Sequence, residues 1–147
     1  MSEKTIAIGS DHAGFVLKEK LSQELERRGW SVIDAGTNGP QSVDYPDYGR
    51  AVAEMIADRR ADKGVLVCGS GIGISIAANR NPAVRAALCH DNLSARLARQ
   101  HNDANVLVLG ARLIGEETAL DCLHAFLATD FEGGRHQKRV DKLGAAR

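Results

Sequence analysis

The chain has 147 residues, of which 44% are hydrophobic and 4% aromatic, and its 19 basic side chains balance 19 acidic ones. This length fits one domain, spanning 1–147, that can bury a core without metal or disulfide staples. The neutral total argues against bulk electrostatic binding of nucleic acid or of an anionic membrane surface.

The cysteines and the N-terminal residues indicate where the protein works. Cys68, Cys89 and Cys122 form no CxxC pair, which argues against a disulfide scaffold, a zinc site or dithiol redox chemistry. The first residues show no export signal, and no apolar run approaches the ~18 residues of a membrane span. We therefore expect a cytoplasmic protein without membrane contacts.

Strand and helix patterns alternate from the start of the chain. The apolar residues 5–8 predict a strand that ends in a turn. Leucines then recur every fourth residue on one face of an amphipathic helix, with charged residues such as Lys18 between them and Gly29 as its cap. A second strand is predicted at 31–34, and residues 36–48 show no period and predict a long loop.

The middle of the chain continues this alternation. A second helix begins near Tyr48, and residues 65–67 predict a strand buried on both faces that ends at Cys68. Glycines alternate in residues 69–73, and a short helix follows through Ala78. Residues 85–88 predict the fourth strand.

The last third completes the pattern. Asp91 is a good N-cap for a helix that runs towards His101, and residues 106–109 form the clearest strand. A helix follows that begins with acidic residues, and a last helix starts after 133–134. The sequence thus predicts one doubly wound, Rossmann-like α/β domain, with a five-stranded parallel sheet and helices on both faces. Ligands of such sheets bind beyond the carboxyl ends of the strands.

The glycine loop follows a buried strand and precedes a helix. Its backbone N–H groups can converge on an anion at the helix N-terminus, although a tight structural turn explains the same spacing. A dinucleotide fingerprint needs Gly or Ala three residues after Gly71, where this chain has Ile74, and the lysine of a P-loop is also missing. The loop consists of Gly69, Ser70, Gly71, Ile72 and Gly73.

Cys68 immediately precedes this loop. A helix N-terminus or a nearby cation favours the thiolate of a cysteine, which makes Cys68 a candidate base or nucleophile. The alternative is an inert thiol at the end of an apolar strand. Cys89 and Cys122 lack such a loop, and we assign both to packing.

Two polar pairs are further candidates. Asp11 and His12 follow the first strand, where they can contact a substrate or shuttle a proton, or can serve as a cap and a surface histidine. His101 and Asn102 end a helix, and there a histidine can simply complement the helix dipole.

Three arginines are candidate anion ligands. Arg112 follows the fifth strand, and Arg135 and Arg139 stand four residues apart on one predicted helix face. Planar guanidinium groups suit phosphate, and the alternative is a solvated basic face. Residues 133–147 hold five Lys or Arg and one Asp, so this segment carries +4 within a neutral chain.

Five ordered motifs are distributed over essentially the whole chain, at 9–14, 44–46, 68–79, 99–105 and 132–136. Together they closely resemble the type B ribose-5-phosphate isomerases, a family that includes the galactose-6-phosphate isomerase subunits. Five motifs at matching spacing are far more specific than any one of them.

This resemblance implies aldose-ketose isomerisation of a phosphorylated sugar through a cis-enediolate, without a metal or other cofactor. Cys68 matches the general base and His101 the residue that opens the sugar ring. The loop 69–73 matches an anion hole for the enediolate, with the hydroxyl of Ser70. The remaining matches are substrate contacts: Asp11, His12, Tyr45 and Asn102, with Arg112, Arg135 and Arg139 chiefly on the phosphate.

One branch of the family carries glycine at the position of Cys68 and glutamate at the position of Ile74. This chain therefore resembles the cysteine branch. The resemblance also implies a homodimer, possibly a dimer of dimers, with active sites at the subunit interface and the C-terminal helix in that interface. The pentose phosphate pathway is the metabolic setting that it implies.

Two alternatives stay open. The same base and anchor would serve a tetrose 4-phosphate or a hexose 6-phosphate, because the motifs do not measure the pocket. The other alternative is a non-catalytic flavodoxin-like or receiver domain. A receiver requires an acidic cluster, a phospho-accepting Asp and a lysine, and this chain has Cys68 and Arg112 at the second and third of these places.

Overall fold

A computed structural model describes residues 4–145, so the ends of the predicted domain, 1–3 and 146–147, lie outside the described residues. Strands and helices alternate throughout. The strands are β1 Thr5–Ser10, β2 Ser31–Asp34, β3 Lys63–Cys68, β4 Ala86–Leu88 and β5 Val106–Gly110. The helices are α1 Phe15–Arg27, α2 Tyr45–Ala57, α3 Ile72–Asn79, α4 Asn92–Asn102, α5 Glu116–Ala128 and α6 Gln137–Leu143, with a 3₁₀ turn at Gly134–His136 before α6.

The five strands form one sheet in the order β2-β1-β3-β5-β4, and every pairing is parallel. This confirms the predicted doubly wound α/β fold. The register aligns Ser10 with Val67 and Cys68 with Gly110, so β1, β3 and β5 end together. Their carboxyl ends therefore form one edge of the sheet, which we call the carboxyl edge.

Helices cover both faces of the sheet, because successive strand residues point to opposite faces. Ile6 and Ile8 pack with residues of α1, α4 and α5, whereas Ala7 packs with residues of α2 and α3. The central strands are buried on both sides, which explains their continuous apolar runs. Among the described residues, no helix is long and apolar enough to cross a membrane.

The predicted loop 36–48 is too long. Helix α2 begins at Tyr45 with Asp44 as its N-cap, because Pro46 in the first turn suits a helix start. The strand predicted at 5–8 extends to Ser10, because Gly9 and Ser10 continue the ladder with β3. The predicted C-terminal helix begins with a 3₁₀ turn that holds Arg135, so Arg135 and Arg139 do not share one regular helix.

Lys18 also departs from the sequence pattern, which placed it among the charged residues between the leucines of α1. Its side chain is fully buried, and its Nζ lies 2.6 Å from Oδ2 of Asp34 and 3.3 Å from Glu19. The carboxylate of Asp34 also accepts a hydrogen bond from the N–H of Gly36. This ion pair ties α1 to the edge strand β2 and to the loop that follows it.

Candidate active site

Cys68 ends β3 and is only 4% exposed. The N–H of Gly71 donates a hydrogen bond to its Sγ over 3.2 Å, and the N–H of Ile72 donates to Oγ of Ser70 over 3.1 Å. Negative charge on a sulfur strengthens such a hydrogen bond. The loop therefore folds back onto the thiol.

Gly71 requires its glycine. Its φ is +80°, in the left-handed region, and a Cβ there would lie 2.5 Å from Cδ1 of Leu88 and 3.1 Å from the carbonyl carbon of Leu109. The turn at Gly71 allows α3 to begin at Ile72, directly after the loop. A strand end and a helix N-terminus thus meet at Cys68.

Free backbone donors surround this point. Among residues 4–145, the N–H groups of Ser70, Gly73 and Ile74 have no acceptor. Those of Gly73 and Ile74 belong to the first turn of α3, where N–H groups lack intrahelical partners. Unpaired N–H groups at a helix N-terminus bind anions, so these donors are available to an anionic ligand.

The neighbouring loops bring further polar side chains to the carboxyl edge. Tyr45 packs against Gly73, where a Cβ would meet the tyrosine ring. Nδ1 of His12 accepts a hydrogen bond from the N–H of Val43 over 3.1 Å, which places the remaining N–H of a neutral His12 ring on Nε2. Buried Asp11 caps the following turn by accepting from the N–H of Gly14.

Arg112 adds a cation to this edge. Its backbone N–H donates to the carbonyl of Gly69 over 2.9 Å. Its guanidinium lies beside the same glycine, 3.3 Å from the position a Cβ would occupy. Among residues 4–145, the Arg112 side chain forms no ion pair. We call these residues the carboxyl-edge group; they are Asp11, His12, Tyr45, Cys68, Gly69, Ser70, Gly71, Ile72, Gly73 and Arg112.

The other predicted site residues lie elsewhere. Helix α4 follows the carboxyl end of β4 and returns antiparallel to the strands, so its last residues, His101 and Asn102, lie at the opposite edge. Asn105 confirms this position, because its N–H donates to the carbonyl of Arg85 just before β4. The structure therefore separates His101 from Cys68.

Two side chains from the C-terminal segment join His101 at this edge. The His101 ring stacks on the ring of His136, with 4.4 Å between centroids and 17° between planes. The backbone N–H of Glu132 donates to the carbonyl of Gln100. Together with the arginines that flank His136, these residues form what we call the amino-edge group, which consists of His101, Asn102, Glu132, Arg135, His136 and Arg139.

The two groups are about 13 Å or more apart, because β5 alone spans four residue steps of ~3.3 Å between them. That span exceeds the reach of one small sugar ring in contact with both Cys68 and His101. Each predicted site residue thus has a clear place, but one chain does not bring all of them together.

Burial lowers the pKa of His136, and the neighbouring His101 and Arg135 add to this effect. Glu132 acts in the opposite direction, and its Oε1 lies 3.5 Å from Nε2 of His136 without hydrogen-bond geometry. That buried nitrogen has no partner within the described residues. His136 is therefore favoured in its neutral form.

His101, Glu132 and His136 also place one potential metal ligand each within 4.8 Å of one another. The two imidazole planes are nearly parallel and stacked, so their lone pairs lie in two separate planes that do not meet between the rings. Ligands of one ion must converge on it, as in a tetrahedral zinc site. The stacked arrangement does not meet that requirement.

The other thiols lie in the apolar core. Cys89 and Cys122 are at most 1% exposed, and burial raises the pKa of each to about 11. A buried thiol with a raised pKa is a poor nucleophile and a poor base at neutral pH. Their assignment to packing agrees with these surroundings.

Sequence reasoning assigned no role to Glu132 or His136. His136 lies 35 residues after His101, and no local spacing rule connects two such positions. Their contact depends on the fold that returns the C-terminal segment to the end of α4.

Comparisons with known proteins identify relatives of this chain. A family model described as "Ribose/Galactose Isomerase" matches residues 6–143. Ribose-5-phosphate isomerase B of Escherichia coli is 48% identical over 142 residues, which cover 97% of this chain and 95% of that protein. The D-erythrulose-4-phosphate isomerase of Pectobacterium atrosepticum is 42% identical, over 95% and 93% of the two chains.

A solved structure extends the likeness to three dimensions. Ribose-5-phosphate isomerase B of Clostridium thermocellum superimposes with a TM-score of 0.94 at 51% identity. The match covers 95% of both chains.

Proposed function

Because this chain belongs to the ribose/galactose isomerase family, we propose that it interconverts D-ribose 5-phosphate and D-ribulose 5-phosphate. Family membership makes it a sugar-phosphate isomerase, an enzyme that moves hydrogen within one substrate. It also removes the ground for the non-catalytic flavodoxin-like alternative. The observation that carries the proposal is the Cys68 thiol within a glycine loop that presents free N–H donors.

The proposed reaction uses the Cys68 thiolate as the base. It removes the proton from C2 of the open-chain aldose, the C–H electron pair forms the C1–C2 double bond, and the carbonyl pair moves to O1. The N–H groups of Ser70, Gly73 and Ile74 stabilise this cis-enediolate. Cys68 then returns its proton to C1, the hydroxyl proton passes from O2 to O1, and the C2 carbonyl forms.

The surroundings of Ile74 support Cys68 in this role. In the glutamate branch of the family the base would stand at Ile74, and here that side chain is apolar and fully buried in the core on the α2 and α3 side. Cys68 is therefore the titratable side chain that this loop offers to a substrate.

We further propose that two copies of the chain build each active site. The carboxyl-edge group of one copy supplies the base and the anion hole, and the amino-edge group of the other supplies His101 and the two arginines. In a twofold-symmetric dimer this contact between the two groups occurs twice, so the dimer has two complete active sites. The separation of Cys68 and His101 within one chain supports this arrangement.

Exposed apolar residues in and beside the carboxyl-edge group favour a second copy as the partner. Ile72 and Ile76, four residues apart on α3, are 52% and 53% exposed, and Tyr45 is 41% exposed. Tyr45 and Ile76 line a cavity of about 590 Å³ between α2 and α3. Exposed apolar residues that adjoin a site are typical of interfaces. The C-terminal helix α6 carries Arg139 and would enter the same interface.

In the proposed ring-opening step, His101 donates a proton to the ring oxygen and accepts one from the hydroxyl on C1. Arg135 and Arg139 would hold the phosphate, because guanidinium groups bind its oxygens bidentately. Neither arginine forms an ion pair in the part of the chain that the structure describes.

The assignment of ribose 5-phosphate as the substrate is tested by comparing turnover of ribose 5-phosphate, erythrose 4-phosphate and allose 6-phosphate. We expect the highest kcat/KM for ribose 5-phosphate, and faster turnover of the tetrose would contradict the pentose assignment. The relative from Pectobacterium atrosepticum makes the tetrose the sharper comparison.

The role of Cys68 as the base is tested by the Cys68→Ala variant. This replacement should lower kcat by about 10²–10⁴ and leave sugar-phosphate binding intact. Cys122→Ala is the matched control, because its thiol is buried in the core. Equal turnover of the Cys68→Ala variant and wild type would rule out the mechanism.

A further inference from the structure

We propose that His136 is a positioning residue for His101. Its buried ring holds the His101 imidazole in one plane, so that the nitrogens of His101 keep a fixed direction towards the substrate. The inference rests on the ring-opening role proposed for His101 above.

One ring of the stack, His136, is buried, and the other, His101, is only partly buried. His136 is 7% exposed and stands on a 3₁₀ turn whose N–H at His136 donates to the carbonyl of Gly133. His101 is only partly buried and lies in the last turn of α4, where helices fray. The two rings lie 4.4 Å apart, which is contact distance for offset stacking. The buried ring therefore restrains the more accessible one.

In the part of the chain that the structure describes, the usual type of side-chain interaction does not orient His101. A functional histidine is normally fixed by a hydrogen bond from one ring nitrogen to a carboxylate or a carbonyl. Among residues 4–145, the His101 ring makes no hydrogen bond, and its aromatic contact is the stack on His136. Stacking leaves both ring nitrogens free, as a residue that donates one proton and accepts another requires.

Charge supports the same assignment. Two imidazolium rings at this distance would repel each other, so the pair favours one proton at most. Burial lowers the pKa of His136, and the charges of Arg135 and Arg139 act in the same direction against Glu132. His136 therefore stays neutral beside His101, the ring that the substrate can reach.

The test compares two replacements of His136 in two backgrounds. His136→Leu fills the space without a flat face, and His136→Phe keeps a flat ring. On ribose 5-phosphate we expect His136→Leu to lower kcat at least about tenfold with little change in KM, and His136→Phe to recover most of that loss. In a His101→Asn background, His136→Leu should cause no further loss, because the two residues act as one unit.

Equal losses from His136→Leu with and without His101 would overturn the inference, and so would a phenylalanine variant as poor as the leucine one. If His136→Leu does not fold, His136→Gln takes its place in the same cycle, with thermal unfolding as the control. Absence of wild-type turnover on every sugar phosphate would overturn the proposed function itself. If the wild type is active but His136→Leu causes the same loss with and without His101→Asn, only the role of His136 is overturned.

Discussion

The ring of Tyr45 lies against the Cα of Gly73, so that a Cβ on Gly73 would come within 2.5 Å of Cζ of Tyr45. Gly73→Ala should therefore displace Tyr45 from the free N–H groups of the loop and lower kcat/KM by about ten- to a hundredfold. Steady-state kinetics on ribose 5-phosphate measures this. Gly115→Ala is the control, because no atom of the described residues outside its immediate neighbours lies within 4 Å of its Cβ position. Similar kinetics in both variants would contradict the prediction.

Mixed dimers test whether two copies share each site. Cys68→Ala and His101→Ala chains should each be nearly inactive alone. After the two are unfolded and refolded together, half of the dimers are mixed, and each mixed dimer has one intact site. We expect about one quarter of wild-type activity. Recovery that does not rise above the separate variants would contradict the shared site.

Open-chain substrates isolate the role of His101. Ribose 5-phosphate closes into a ring through its 4-hydroxyl, whereas erythrose 4-phosphate carries its phosphate on that oxygen and stays open. His101→Asn should therefore lower kcat/KM on ribose 5-phosphate at least about tenfold more than on erythrose 4-phosphate. Parallel kinetics on the two sugars provides the comparison, and equal losses would exclude ring opening as its role.

Replacement of Arg135 or Arg139 by alanine should raise KM for ribose 5-phosphate about 10- to 100-fold, because each loses charge-assisted hydrogen bonds to the phosphate. Inorganic phosphate should become a weaker competitive inhibitor in the same variants. Lys138→Ala is the matched control, since Lys138 is an exposed cation between the two arginines. If it raises KM equally, a general basic surface explains the effect.

Acid should remove the stabilisation that Glu24 provides. Hydrogen bonds from Arg28, then His124 and Arg27, lower the pKa of Glu24 from 4.5 to about 2. A lowered folded-state pKa adds stability above the unfolded value, and this stability is lost as pH falls from about 4.5 towards 2. Urea unfolding of wild type and Glu24→Gln should show a clear difference at about pH 6 that shrinks near pH 2. A difference independent of pH would contradict this origin.

The fold and the carboxyl-edge group could be predicted from local patterns. A buried strand that runs into alternating glycines predicts the thiol, the turn and the helix N-terminus together, and the structure has them at Cys68, Gly71 and Ile72. Asp91 similarly caps α4 as expected: its side chain accepts a hydrogen bond from the N–H of Ser94, and its own N–H donates to Oγ of Ser94. In each case the interacting residues are near neighbours in the chain.

Contacts between distant segments could not be predicted in this way. Lys18 follows the helical period of a solvent-facing residue, yet Asp34 from β2 compensates its charge and allows its burial. The stack of His101 on His136 depends on where the C-terminal segment returns. The motifs likewise predicted that Cys68 and His101 belong to one site. The sheet topology shows that the two residues lie at opposite edges of the sheet within one chain.

The strand order also constrains how the chain folds. β5 lies between β3 and β4, and within the described residues β4 pairs with β5 alone. The three residues of β4 therefore have no sheet neighbour until the chain has been synthesised through Gly110. During synthesis, residues 4–68 can form the β2-β1-β3 part of the sheet first, whereas β4 has no strand to pair with until β5 has been made. The amino-edge group, whose last members follow α5, cannot assemble until the chain has been synthesised through Arg139.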